Sequence, residues 1–391
     1  MILNKAAKIS KFHNMHCVGC FLCYVVCPVS AITVTEHRIG IITEVNKNKC
    51  IGCGLCLAVC PLHSIQMPEN LNNVRTAFRG FSLKPDIYYY GASGGIVGSI
   101  LWYLFDKKYI DAAYVAFYDS NMNIYGDVIT SKEDVIKHLG SYYLQPKYMV
   151  NIKKINKYGS VAFIGLPCHV EALKNYLKLY NDKLNIFIVI SLFCTIGRMR
   201  TGLIEFLKYR FGLKLEDLEV DKHLSRYGLN RLSNISIALK SGVQIKYTYK
   251  DYLDYVDYFY TPIGCFNCRK MFGLSADISV GDDWGIKTDR KLALGIANSI
   301  RGLALIEELA REKIIHVHAI KTDETPSILL NSQPIGKALK IYRPAETKFL
   351  MIMLKSLACI FSILRVPKRI MCLFRSLVLL YLSRRSLRSN W

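Results

Sequence analysis

Apolar residues fall in short blocks separated by turn residues, and the blocks alternate between strand-like and helix-like spacing. From Ala31 to Thr43, β-branched and polar residues alternate on both sides of a turn near His37 to Gly40, which predicts a β-hairpin. Beyond residue 86 the pattern predicts a helix through Asp106 and then a strand over Ala112 to Tyr118. It continues as a strand over Val161 to Ile164, a helix over Val170 to Leu179, a strand over Ile186 to Leu192 and a helix over Thr201 to Phe211. This succession predicts an α/β domain. In open α/β sheets ligands collect at the carboxyl ends of the strands. Here those ends run into Gly165-Leu166-Pro167-Cys168-His169 and Phe193-Cys194. Between Pro68 and Pro85 the pattern turns irregular and polar, with Asn-Leu-Asn-Asn at 70 to 73, and predicts a linker or a wrapping segment at a domain boundary.

Composition narrows the class. A length of 391 residues suggests two or three domains, and 51% hydrophobic with 21% charged residues excludes a disordered chain. The formal charge of +22 favours anionic partners without choosing among nucleic acid, lipid headgroups, acidic proteins and phosphorylated cofactors. Glu346 to Trp391 holds nine Lys and Arg against one acidic residue, among many Leu, Ile, Met and Phe. Lys355, Arg365 and Arg375 interrupt any apolar span, so the tail reads as an amphipathic helix for a membrane surface or partner groove, or as a helical pair covering the core.

The 14 cysteines carry the chemistry. Met1 to Ser10 includes Lys5 and Lys8 and lacks a continuous apolar stretch with a cleavage site, so a reducing cytosol is expected and a disulfide scaffold is excluded. Eight cysteines form two blocks offset by 33 positions: Cys17, Cys20, Cys23 and Cys27, then Cys50, Cys53, Cys56 and Cys60. Each block reads C-x2-C-x2-C-x3-C-P, the double-cluster ferredoxin run in which the fourth cysteine serves the other cluster. One 4Fe-4S cluster is therefore expected on Cys17, Cys20, Cys23 and Cys60, and another on Cys50, Cys53, Cys56 and Cys27. Zinc sites do not need eight cysteines in this register, and nucleic-acid binding, motivated only by charge, is not expected.

Cys168 and Cys194 at two strand ends, with Cys265-Phe-Asn-Cys268 in a loop, make a further set of four for a third 4Fe-4S cluster or a zinc ion. Cys359 and Cys372 in the tail have no partner spacing and read as apolar-face residues. The stretch Gly91-Ala-Ser93-Gly94-Gly95-Ile-Val-Gly98 either opens an anion-accepting helix or permits close packing through small residues. Ala276 to Gly285, ending in Gly281-Asp282-Asp283-Trp284, is a strand entering an acidic turn that serves either as a plain turn or as a cofactor wall.

Taken in order, these motifs resemble the family of coenzyme F420 hydrogenase/dehydrogenase beta subunits, in its long form with an N-terminal double 4Fe-4S domain. The resemblance covers about residues 10 to 320. It implies an α+β ferredoxin-like domain over 1–70 and a linker over 71–86. The beta subunit's N-terminal part would follow over 87–160, its C-terminal part with flavin and proximal cluster over 161–345, and the basic helical tail over 346–391. It further implies FAD near Gly91, Ser93, Gly94, Gly95, Gly165, Pro167, Asp282 and Trp284, and a cluster on Cys168, Cys194, Cys265 and Cys268. Where family members often carry Gly-Ser/Thr-Lys-Tyr, this chain has Gly140-Ser141-Tyr142-Tyr143, so an expected lysine is Tyr142. The implied function is a cytoplasmic iron–sulfur flavoprotein oxidoreductase, with peripheral membrane association through its tail as an option. Such a protein converts two-electron transfer from a hydride carrier such as reduced F420 into single-electron transfer to a redox partner or ferredoxin. Two alternatives are a ferredoxin-dependent reductase of an organic substrate and a non-enzymatic electron-transfer subunit.

Overall fold

The computed structural model describes residues 17–37, 40–74, 76–142, 144–180, 185–213, 220–225, 234–239, 241–242, 244–256, 260–283, 285–286, 288 and 290–331. Trp284 and the whole tail with Cys359 and Cys372 lie outside the described residues.

The internal duplication is built into the backbone. Gly19 and Phe21 take left-handed φ angles of 74° and 67°, and Gly52 and Gly54 repeat them at 71° and 82°. Each pair throws the chain into a short helix, Leu22–Val26 and Leu55–Ala58. Between the repeats lies the expected hairpin, β1 (Ile32–His37) and β2 (Gly40–Val45), antiparallel from Ile32↔Val45 to His37↔Gly40. Pro61 then leads into helix Leu62–Gln66, where its fixed φ suits a helix start.

The next strand corrects the sequence reading. The supposed linker contains β3 (Thr76–Ser82), an interior strand hydrogen-bonded on both sides. Arg79 and Gly80 break its apolar alternation, but Ala77 and Phe78 are buried and Gly80 lies where a Cβ would come 2.6 Å from the His316 carbonyl. Its neighbours come from more than 200 residues later in the chain, a pairing that local pattern does not report.

The α/β succession otherwise follows the expected course: β4 (Ala112–Tyr118), β5 (Ile124–Ile129), β6 (Val161–Gly165) and β7 (Ile186–Leu192). A separate antiparallel sheet of β8 (Val220–Ser225), β9 (Asn234–Leu239) and β10 (Gln244–Thr248) follows, unannounced in the sequence reading. The chain returns through β11 (Ile278–Asp282), β12 (Ala293–Ala297) and β13 (Ile315–Ile320). The main sheet has eight strands in the order β13-β3-β12-β11-β7-β6-β4-β5. Only β4, β6, β7 and β11 are mutually parallel, so the sheet is mixed. All of β6 is buried, as expected of a parallel strand covered on both faces.

Side-chain alternation assigns those two faces. Ala113, Val115, Ala162 and Ile164 pack with helices Ile96–Asp106 and Ile300–Arg311. Tyr114 and Phe163 point the other way, into a core shared with the 3-10 segment Tyr148–Lys157, helix Pro167–Leu179 and Leu22, Val26, Val59, Leu62 and Ile65 of the duplicated segment. That segment is therefore seated on the sheet through a continuous apolar core. At ~1.5–3 kcal/mol for each fully buried aliphatic side chain, its five core residues hold it far more firmly than surface contacts could.

Candidate iron-sulfur and cofactor site

The first expected thiol set converges. Cys17, Cys20, Cys23 and Cys60 line one pocket together with Val18, Val34 and Leu62. Burial pushes the Cys20 thiol up to about 12, while burial and the neighbouring thiols hold Cys23 and Cys60 well above the usual range. Such a set holds thiols at neutral pH and becomes thiolate when a metal offsets the desolvation. Backbone N–H of Gly19 donates to Cys17 Sγ at 3.3 Å, and Thr43 Oγ1 donates to the same sulfur at 3.6 Å. The second set gathers around Cys56, whose thiol is raised to about 11 by burial and by the proximity of Cys53, Cys27 and Cys50. Cys27 Sγ accepts from Ala31 N–H at 3.2 Å. The fold thus brings Cys60 to the first block and Cys27 to the second.

The third set also meets. Cys168 is fully buried, and its thiol is raised by that burial and then by Cys268, Cys194 and Cys265 beside it. It stands in the first turn of helix Pro167–Leu179 rather than at a bare strand end, because Pro167 starts the helix earlier than the apolar pattern predicts. Cys194 lies two residues past β7, and its N–H donates to the Met271 carbonyl at 2.9 Å. Cys265 belongs to a short helix, Ile263–Asn267, and not to a loop, with Cys268 at the helix end. A Cβ on Gly197 would come within 3.0 Å of Cys265 Sγ, so glycine leaves that thiol room. Cys20 of the first set and Cys168 and Cys265 of this one belong to a single buried cluster, with Cys60 and Cys268 packed against it. Among the described residues no three His, Cys, Asp or Glu side chains gather closely enough to hold a single metal ion. The all-thiol donor sets fit iron–sulfur clusters, whose ligands stand around a cage larger than one ion.

At the same carboxyl edge lies the glycine turn. Ser93, Gly94 and Gly95 all have positive φ, and Ser93 Oγ donates to Asp282 Oδ1 at 2.5 Å, tying the turn to the end of β11. A Cβ would meet the Ile87 carbonyl 2.5 Å from Gly91, the Lys291 carbonyl 2.9 Å from Gly94 and the Ile87 carbonyl again 2.6 Å from Gly95. These glycines therefore satisfy close packing, one of the two sequence readings. The turn also opens the 11-residue helix Ile96–Asp106, whose amino end favours negative charge. Lys291 is buried, and its ammonium donates to the carbonyls of Tyr89 at 2.6 Å and of Tyr88 and Gly91 at 3.3 Å. Gly165 sits between Phe163 and His169, where a Cβ would come within 2.9 Å of each. Tyr142, in place of the expected lysine, packs on Tyr118 with ring centroids 5.4 Å apart, and burial raises its phenol to about 12. It supplies no cation there.

Several residues at the site escaped the sequence reading. Asp283, with its side chain fully buried, accepts from Arg79 Nε at 2.6 Å. Glu69 accepts three backbone N–H bonds, from Met271 and Phe272 at 2.8 Å and Leu274 at 2.9 Å, and so clamps the segment that follows Cys268. Gln145 Nε2 donates to the Val18 carbonyl at 2.6 Å, and Asn175 Nδ2 donates to the Cys60 carbonyl at 3.1 Å. His169 is wholly buried, stacked 4.4 Å from the Tyr148 ring and held neutral, its pKa lowered by burial to about 3. Leu166 N–H donates to its Nδ1 at 3.2 Å, so the proton is on Nε2, which has no partner among the described residues. Only Gln145-Pro146, next to the Gly140 motif, carried a local signal in the sequence.

Residues 16–64 match the 4Fe-4S dicluster domain. Residues 77–152 and 158–323 match the N-terminal and C-terminal models of coenzyme F420 hydrogenase/dehydrogenase, beta subunit. An uncharacterized protein of Methanocaldococcus jannaschii is 30% identical over 233 residues, 55% of this chain and 58% of that protein. A subunit of the F(420)H(2) dehydrogenase of Methanosarcina mazei is 28% identical over 187 residues, 46% of this chain and 53% of that protein. The chain thus spans somewhat over half the length of these curated relatives. A chain of the F420-reducing NiFe hydrogenase complex from Methanosarcina barkeri shares the fold, with a TM-score of 0.53 and 18% identity over 72% of this chain and 94% of that one.

Proposed function

Since the chain belongs to the family of coenzyme F420 hydrogenase/dehydrogenase beta subunits, we propose that it is an iron–sulfur flavoprotein oxidoreductase exchanging electrons between a hydride carrier, reduced F420 in the first instance, and a redox partner protein or ferredoxin. The carrying observation is the grouping of thiols: Cys20 and Cys60 of the ferredoxin-type segment pack in the same apolar cluster as Cys168, Cys265 and Cys268. Three 4Fe-4S clusters, on the sets given above, would supply single-electron chemistry, and FAD would supply hydride chemistry. The chain's own contribution is placement. The Ser93–Asp282 bond fixes the glycine turn, the amino end of helix Ile96–Asp106 suits the FAD pyrophosphate, and Asp282 would border the site with Gly165 and Pro167. N–H and O–H donors to Cys17 and Cys27 stabilise the thiolates and tune the clusters' potentials.

The surplus charge of +22 favours the anionic tail of F420 or an acidic partner by steering. Among the described residues no helix is long and apolar enough to cross a membrane, and the basic tail would serve peripheral docking on a membrane or complex. Anaerobic iron, sulfide and flavin quantitation tests the reading: about twelve irons and one flavin per chain are expected, with the flavin spectrum bleached by reduced F420. Full iron loading without flavin would reduce the protein to an electron-transfer role, and colourless zinc-containing material would end the proposal.

A further inference from the structure

Strand β13 closes one edge of the main sheet and carries two histidines with no role in the site above. His316 and His318 stand two residues apart, so both side chains leave the same face of the strand. Both are exposed, and their Nε2 atoms lie 2.9 Å apart with the rings nearly perpendicular at 82°. Ile315 and Val317 point to the opposite face, into the core, so the strand's own packing fixes the direction of the pair. The His316 ring also packs on Phe81 of β3 at 5.1 Å, which limits its rotation.

Two imidazole Nε2 atoms at this distance cannot both carry protons. Either they share one proton or both present lone pairs to an electrophile. Imidazole nitrogens bind first-row divalent ions at about 2.0–2.1 Å, so two nitrogens at right angles around one ion lie about 2.9 Å apart, and two at a tetrahedral angle about 3.3 Å. The observed separation matches cis positions in a square-planar or octahedral shell. The cation in register with His318 on β3, Arg79, is already opposed, since it is paired with the buried Asp283 carboxylate at 2.6 Å.

We propose that His316 and His318 form a bidentate site for a divalent transition-metal ion of the imidazole-preferring class, nickel, copper or zinc, separate from the thiol sets. Among the described residues no third His, Cys, Asp or Glu joins them. Hard ions such as magnesium and calcium, which take oxygen ligands, are excluded by the donor type.

The test is calorimetric titration of untagged, anaerobically purified holoprotein with nickel chloride, with iron and sulfide assayed before and after. The expected result is about one equivalent of nickel bound in the micromolar range, weakened roughly tenfold or more in His316→Gln and in His318→Gln alone, and lost in the double variant. Iron and sulfide stay constant in all four proteins, since neither histidine touches a thiol set. Binding that persists at wild-type strength in the double variant, or wild-type protein that binds no nickel below about a millimolar, overturns the proposal. Magnesium chloride is the control titrant, and equal heats for magnesium and nickel would overturn it as well.

Discussion

At the scale of single residues, the cysteines separate chemistry from packing. Cys168→Ser should remove about four of roughly twelve irons and leave the signals of the two ferredoxin-type clusters, because its set shares no ligand with theirs. Iron analysis with EPR after dithionite reduction checks this, and an unchanged iron count would remove Cys168 from the ligands. Asp283 is the complementary case, a residue with a structural task beside the site. Its carboxylate is fully shielded while Arg79 keeps 23% exposure. Asp283→Ala would leave the guanidinium without its partner, at a cost of about 3 kcal/mol, the lower end for a broken buried pair because Arg79 retains some solvent. Chemical denaturation under anaerobic conditions reads that loss, which iron content should not follow.

At the scale of elements, two connections decide whether the site is held. The Ser93-Gly94-Gly95 turn depends on left-handed backbone, with φ 71° at Gly94 and the Lys291 carbonyl 2.9 Å from where a Cβ would sit. Gly94→Ala should therefore cost roughly 1–3 kcal/mol and lower flavin retention with it, measured as melting temperature and flavin per chain. Glu69 provides the second connection, between the ferredoxin-type segment and the backbone after Cys268. Glu69→Ala leaves three N–H donors without their acceptor, so amide exchange at Met271, Phe272 and Leu274 should accelerate and the EPR line of the proposed third cluster should broaden. Glu69→Gln, which keeps one acceptor oxygen, should restore part of the protection. How legible these elements were depended on how local their causes are. The hairpin and the strands over residues 112–118 and 186–192 could be read from sequence because their strand pattern is local, β-branched residues alternating with polar ones in the hairpin and nearly unbroken apolar and aromatic runs in the other two. Strand β3 was read as linker because Arg79 is polar for the sake of Asp283, and Gly80 is small for the sake of the His316 carbonyl. Both partners are remote in the chain. Glu69 went unnoticed for the same reason.

At the scale of the whole molecule, the duplicated segment is at once an inserted cofactor carrier and part of the main core. Its thiols gather in groups that fit metal clusters, yet Leu22, Val26, Val59, Leu62 and Ile65 share one apolar cluster with Tyr148, Phe163 and Leu173 of the sheet domain. Cysteine spacing announced the first fact plainly. It was silent on the second, since the contacts that seat the segment come from residues chosen for shape against a distant surface. Two stabilities follow. Removing iron with an anaerobic chelator should uncage residues 17–60 locally, because structural metal binding is folding free energy for a small thiol-lined unit. The parallel strands β4, β6, β7 and β11, with their own core against helices Ile96–Asp106 and Ile300–Arg311, should persist. Hydrogen exchange before and after chelation distinguishes the outcomes. Loss of protection confined to the hairpin and the two cysteine runs, with Ile65 and the sheet still protected, is expected if the shared core holds the segment in place. Simultaneous loss across the sheet would mean that the clusters support the whole molecule, and that the apolar seat is too weak to stand without them.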